Sequence, residues 1–143
     1  MSRVLAIDYG SKRLGMALSD DRRILASSLP NLLAERNLKL TAAKVAAEVR
    51  SLAAKGYIIN LIIVGLPLHM NGSMSETGKQ VGLFIAELKT LLTIEVVSWD
   101  ERLTTTQAER LLKDNGRSRK QRAAVVDSLT AQIILQTYLD RSS

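Results

Sequence analysis

The chain has 143 residues, enough for one domain with a sizeable core. Hydrophobic residues make up 46% of it, which excludes a disordered chain, and aromatics only 3%, which argues against a binder that stacks bases on an aromatic platform. Lysine and arginine outnumber aspartate and glutamate by 20 to 14, and the resulting net charge of +6 suits a polyanionic partner such as nucleic acid.

Cysteine is absent and histidine occurs once, so disulfides, thiolate metal sites and multi-histidine zinc sites are excluded. A catalytic metal would need oxygen ligands, which points to Mg²⁺ or Mn²⁺. No apolar run approaches the roughly 20 residues that span a bilayer. The N-terminus lacks a signal-peptide cleavage pattern, so the expectation is a cytoplasmic protein with no membrane contact.

Arg3 to Tyr9 reads as a short buried strand ended by Gly10, Leu14 to Ser19 as a second followed by a turn at Asp20-Asp21, and Ile24 to Leu29 as a third closed by Pro30. Their short connections predict an antiparallel meander. Leu40, Ala43, Val45, Ala46, Val49, Leu52 and Ala53 then recur at helical spacing, with Gly56 where a C-cap belongs. Tyr57 to Val64 is a nearly continuous apolar run, suited to a central strand covered on both faces and broken by Gly65 and Pro67.

Ser73-Met-Ser-Glu76 fits a capping box and predicts a helix over about Ser75 to Leu92. Ile94 to Trp99 is a fifth strand. Thr104-Thr-Thr-Gln107 is a second capping box, opening a short helix through Leu111 and Leu112, and a final helix runs from about Gln121 to Leu139. The order β-β-β-α-β-α-β-α-α implies one α/β domain over residues 1–143, with a five-stranded mixed sheet and helices on both faces.

Three places carry candidate acids. Asp8 stands at the tip of the first strand, where it is either a rigidly held ligand or a turn residue that caps backbone amides. Asp100 and Glu101 follow the fifth strand. Neighbouring strand residues point to opposite faces, so at most one of them shares a site with Asp8; the alternative is that both favour the helix start near Thr104. Asp127 interrupts an apolar helix. Ala123, Thr130 and Ala131 beside it would leave room for an ion, while Val125, Leu129 and Ile133 are expected to pack on the sheet; a solvated aspartate is the plainer alternative. Carboxylates from such positions can share Mg²⁺ ions about 3.5–4 Å apart and hydrolyse a phosphodiester.

Asp8-Tyr-Gly-Ser-Lys-Arg-Leu-Gly15 adds Lys12 and Arg13, cations able to meet a phosphate; a similar Asp-x-Gly pattern occurs in nucleotide-binding folds. Gly65-Leu-Pro-Leu-His-Met-Asn-Gly-Ser73 follows the central strand, where open α/β sheets bind ligands, and contains His69 and Asn71. Gly116-Arg-Ser-Arg-Lys-Gln-Arg122 is read as a basic loop whose Arg117, Arg119, Lys120 and Arg122, with Arg102 nearer the acid pair, would grip flanking phosphates, unless it is simply a solvated surface segment.

In this order the motifs resemble the pre-16S rRNA nuclease family of the YqgF type, also described as Holliday junction resolvases. The resemblance spans essentially the whole chain. It rests on Ile7-Asp-Tyr-Gly with Arg13 and Gly15, Val64-Gly-Leu-Pro-Leu with Gly72-Ser73, Asp100-Glu-Arg-Leu-Thr-Thr105, and Asp127 followed by Ala131, Ile134 and Leu135. It implies a ribonuclease H-like fold related to RuvC, and maturation of the 5′ end of 16S rRNA, with cleavage of four-way DNA junctions as an alternative. It also implies Asp8, one of Asp100 and Glu101, and Asp127 as catalytic carboxylates. Asp8, Glu101 and Asp127 are taken as the metal ligands, although alternation along the strand allows either acid of the pair. The family usually carries Asn-Met-Asp-Gly where this chain has His69-Met-Asn71-Gly72, so that loop lacks an acid here. A non-catalytic RNA-binding assembly factor is a rival reading, and the expected state is a monomer or weak homodimer.

Overall fold

A computed structural model describes residues 2–67, 71–100 and 119–142, with 119–128 as backbone only. The strands are β1 (Arg3–Asp8), β2 (Arg13–Ser19), β3 (Ala26–Leu33), β4 (Ile59–Leu66) and β5 (Glu95–Asp100); the helices are α1 (Leu38–Ala54), α2 (Glu76–Leu91) and α3 (Arg119–Ser142). The helix expected from Thr104 lies outside the described residues. None of the described helices is long and apolar enough to cross a membrane.

The strands form one mixed sheet in the order β3-β2-β1-β4-β5. β1–β2 and β2–β3 are antiparallel, as short turns require, whereas β4 and β5 return through α1 and α2 and so lie parallel to β1. β1 is central. Leu5 and Ile7 face the core under α1 and α2, and Val4 and Ala6 face α3. Burial on both faces is why the strand is apolar without alternation.

β3 begins at Ala26 and runs through Pro30 to Leu33, later at both ends than expected. Ile24 and Leu25 instead form an exposed turn whose amides donate to the Asp20 carboxylate, at 2.7 and 3.1 Å. Pro30 is tolerated because β3 is an edge strand with a bulge: Met16 pairs with Leu29 and Leu14 with Leu32, which leaves Pro30-Asn31 as the bulged stretch.

α1 starts at the N-cap Asn37, whose Oδ1 accepts from Leu40 N, and ends on Gly56 at φ +99°, with Gly56 N donating to Ala53 O and Tyr57 N to Leu52 O. This is a Schellman turn, and its left-handed residue favours glycine. α2 is capped by Ser75 and not by Ser73. Ser73 Oγ donates to Asn71 Oδ1 instead, so the expected capping box does not form.

The face of α3 on the sheet consists of Thr130, Ala131, Ile134, Leu135 and Leu139, against Val4, Ala6, Ala17 and Ile63. The expectation that Leu129 and Ile133 form this face is therefore corrected: both are half-buried flanks. Thr130 and Ala131 are both buried against the sheet. Small side chains on both surfaces let the helix pack close to the sheet.

Candidate active site

Asp8 is the last residue of β1 and is half-buried. It pairs directly with Gly15 on β2. On the other side β1 pairs with β4 as far as Ile7 and Val64, so the next position in the row is Gly65, which is itself paired with Trp99 on β5. Both neighbours of Asp8 across the sheet therefore offer backbone alone, in a layer where almost every other position carries a side chain. Alternation with Val4 and Ala6 puts Asp8 on the α3 face.

Trp99 shares that face. Its ring meets Tyr138 of α3 edge-on, with centroids 5.9 Å apart, and the Arg141 guanidinium lies 5.6 Å from the ring centroid. Among the described residues, Trp99 Nε1 is buried with no hydrogen-bond partner, as is Thr130 Oγ1 on α3. The composition, with its single tryptophan, gave no sign of this role; the position beside Asp100 was the available signal.

Asp100 behaves differently. Val96 packs in the α1/α2 core, so Ser98 and Asp100, two and four residues on, belong to that face and not to that of Asp8. Asp100 is exposed. Glu101, Arg102 and Arg117 lie outside the described residues. Arg119, Lys120, Arg122 and Asp127 are placed as backbone within α3, so the basic segment expected to be a loop through Arg122 is already helical from Arg119. Among the described residues, no three acidic or histidine side chains gather as a metal cage.

Hydrogen bonds to β3 orient α3. Gln136 Nε2 donates to Ile24 O, in the turn beyond the sheet end, and Gln136 Oε1 accepts from Ala26 N. Gln132 Nε2, one turn earlier, donates to Ala26 O. Moving from residue 136 to 132 thus leads from beyond the sheet onto it. Ala26 pairs with Ser19 at the end opposite Asp8, so the N-terminal half of α3 runs toward the Asp8 end.

The β1–β2 connection carries Lys12, and Arg13 opens β2 two residues before Gly15, the partner of Asp8. Gly10 is needed there, because a Cβ at that position would run into the Arg13 carbonyl oxygen. Lys12 is exposed and its carbonyl accepts from Ala34 N at 2.9 Å. Tyr9 turns to the opposite face and packs on Phe84, with centroids 4.8 Å apart; burial raises its hydroxyl pKa, so it remains a neutral phenol at physiological pH.

The loop after β4 is closed by Ser75, whose Oγ donates to Pro67 O at 2.7 Å and accepts from Gly78 N at 2.9 Å. His69 lies outside the described residues. Asn71 is exposed, and its Oδ1 accepts from Ser73 N as well as Ser73 Oγ, which occupies it in shaping the turn.

The model of the RuvX family, described as Holliday junction resolvase, matches residues 2–141. A relative from Protochlamydia amoebophila is 41% identical and covers 97% of this chain and 93% of its own; one from Endomicrobium trichonymphae is 43% identical and covers 100% and 99%. Both carry the name "Putative pre-16S rRNA nuclease". Among solved structures, T. thermophilus RuvC in complex with a Holliday junction substrate matches with a TM-score of 0.57 at 15% identity, covering 100% of this chain and 97% of its own, a likeness of ribonuclease H-like fold. The family match spans every described strand and helix of the fold nearly to its end, and the chain belongs to the RuvX Holliday junction resolvase family.

Proposed function

We propose that this protein is a metal-dependent nuclease that hydrolyses phosphodiesters in structured nucleic acid, with the 5′ end of precursor 16S rRNA as its cytoplasmic substrate. The observation that carries the reading is the setting of Asp8: a carboxylate held at the tip of the central strand, on the face that α3 covers, with glycine on both sides. A rigid strand end fixes its direction, and the missing side chains leave the neighbouring volume for a phosphate and its counter-ion.

The residues suit an oxygen-coordinated ion. Asp8 is one ligand. Glu101 is the second, because Asp100, the other acid of the pair, belongs to the sheet face opposite Asp8. Asp127 is the third. Its position lies four residues before Ala131 and seven before Ile134, the spacing of one helical face, and α3 runs toward the Asp8 end. The unpartnered Trp99 Nε1, in the same row as Asp8, supports a polar occupant in this layer. Mg²⁺ or Mn²⁺, when bound, supplies an activated water and neutralises charge on the leaving oxygen. Lys12 and Arg13, with Arg102, Arg117, Arg119, Lys120 and Arg122, hold the flanking phosphates.

The family description favours a second reading, cleavage of four-way DNA junctions, which would call for two sites and hence a homodimer. A non-catalytic RNA-binding factor would retain the basic residues but would need no metal. A cleavage assay on precursor 16S rRNA and on a four-way DNA junction, with and without Mn²⁺, separates the three. The rRNA reading requires metal-dependent cleavage at the 5′ end with the junction left intact. Junction cleavage alone, or no cleavage of either with binding retained, refutes it.

A further inference from the structure

The Asp8 end of the sheet carries a second group of cations, on the α1 side. β3 ends at Leu33, paired with Arg13, and Ala34 N is bound to Lys12 O. The chain then passes through Glu35 and Arg36 to Asn37, the N-cap of α1, and Lys39 follows in the first turn. Lys12, Arg36 and Lys39 are all exposed. Among the described residues no carboxylate pairs with any of the three. The acid nearest in sequence to Arg36 and Lys39, Glu35, is taken by Lys44, at 3.5 Å.

This is an unfavourable place for cations. A helix N-terminus is the positive end of the helix dipole and prefers acidic neighbours, yet the first turn of α1 holds none and carries Lys39, with Arg36 just before the cap. The segment is also firmly held: Glu35 N donates to Thr41 Oγ1, Thr41 Oγ1 donates to Asn37 O, and Lys44 Nζ donates to Leu33 O. Like charges fixed together against a dipole are tolerated where a polyanion neutralises them.

We propose that Arg36 and Lys39, continuing from Lys12, form a second nucleic-acid contact that receives the phosphate backbone of the substrate beyond the cleavage site. Two strand spacings and a few residues of chain separate Asp8 from this patch, roughly 15–20 Å. That distance spans several phosphates or the width of a duplex. The patch lies on the α1 side of the sheet, whereas Asp8 faces α3. A substrate touching both therefore passes over the sheet end across the β1–β2 connection. A duplex or junction arm can do this, and a short single strand held only at the cleavage site cannot. The inference rests on the nuclease reading and specifies which substrate geometry it takes.

The test is the salt dependence of binding, measured by anisotropy in EDTA so that no cleavage intervenes. The probes are a labelled 20-base-pair RNA duplex and a three-nucleotide single strand, too short to reach from the cleavage site to the patch, and the proteins are wild type and the double variant Arg36→Gln/Lys39→Gln. Among the described residues neither side chain has a hydrogen-bond partner, so thermal unfolding should match or exceed wild type. On the duplex, the slope of log affinity against log salt should fall by about 1.4–1.8, which is about 0.7–0.9 for each phosphate that the variant no longer neutralises, with no change on the trinucleotide. An unchanged duplex slope overturns the inference while leaving the nuclease reading intact, and an equal fall on the trinucleotide assigns the cations to the cleavage site and overturns it too. Failure of wild type to bind either probe removes both readings.

Discussion

Asp8 and Gly15 face each other across the β1–β2 ladder, so the nearest cross-strand neighbour of the strand-end carboxylate has no side chain. Gly65 continues the row on β4. Gly15→Ala would put a methyl group beside the carboxylate in a buried layer. We expect cleavage to drop about tenfold or more, equivalent to about 1.4 kcal/mol of barrier, and the Mn²⁺ concentration for half-maximal activity to rise. An unaltered metal titration would show that this volume is not used by the reaction.

The β4–α2 junction is tight at Gly78, where a Cβ would lie 2.9 Å from Pro67 O and 2.7 Å from Met74 Sδ. The methionine can move, but the backbone carbonyl is held by Ser75. Gly78→Ala should cost about 1–3 kcal/mol, read as a lower denaturant midpoint. Gly82, one turn later, meets nothing within 4 Å, so Gly82→Ala should stabilise by about 0.5–1 kcal/mol. If both variants shifted the same way, the packing described at the loop would be wrong.

Asp20 accepts from the Ile24 and Leu25 amides, which lowers its pKa below the ordinary 3.8. The folded state favours the ionised form, so this contribution is present above pH 3.8 and is lost as pH falls through the folded value. Asp20→Asn should unfold with a shallower loss of stability below pH 4 than wild type. Parallel melting curves between pH 2 and 5 for the two proteins would contradict the assignment.

Asp127→Asn should retain nucleic-acid binding, since the basic residues remain, and lose cleavage by about a hundredfold or more. Binding and turnover measured on the same preparation check this. Loss of binding with residual turnover unchanged would assign the residue to positioning the substrate instead.

The strand pattern was largely legible, because burial on both faces of β1 and β4 leaves uninterrupted apolar runs, and the meander followed from short connections. Pro30 misled as a strand end because periodicity does not reveal that β3 is an edge strand. Ser73 misled as a cap because Asn71 and Ser75 compete for the same loop, and tertiary contact with Pro67 decides for Ser75. The sheet-facing stripe of α3 was misassigned because the helix has apolar residues on two faces, and the alanines Ala6 and Ala17 on the sheet select the smaller one. At the site, alternation allowed one of Asp100 and Glu101. It took the packing of Val96 and Trp99 on opposite faces to put Asp100 away from Asp8.

The central claim is that Asp8 serves the reaction and is not a turn residue. The most direct measurement is single-turnover cleavage of precursor 16S rRNA in Mn²⁺ by wild type and Asp8→Asn, purified side by side and matched in thermal stability. A loss of about a hundredfold or more with substrate affinity retained is the predicted result. Equal rates for the two proteins would contradict the account.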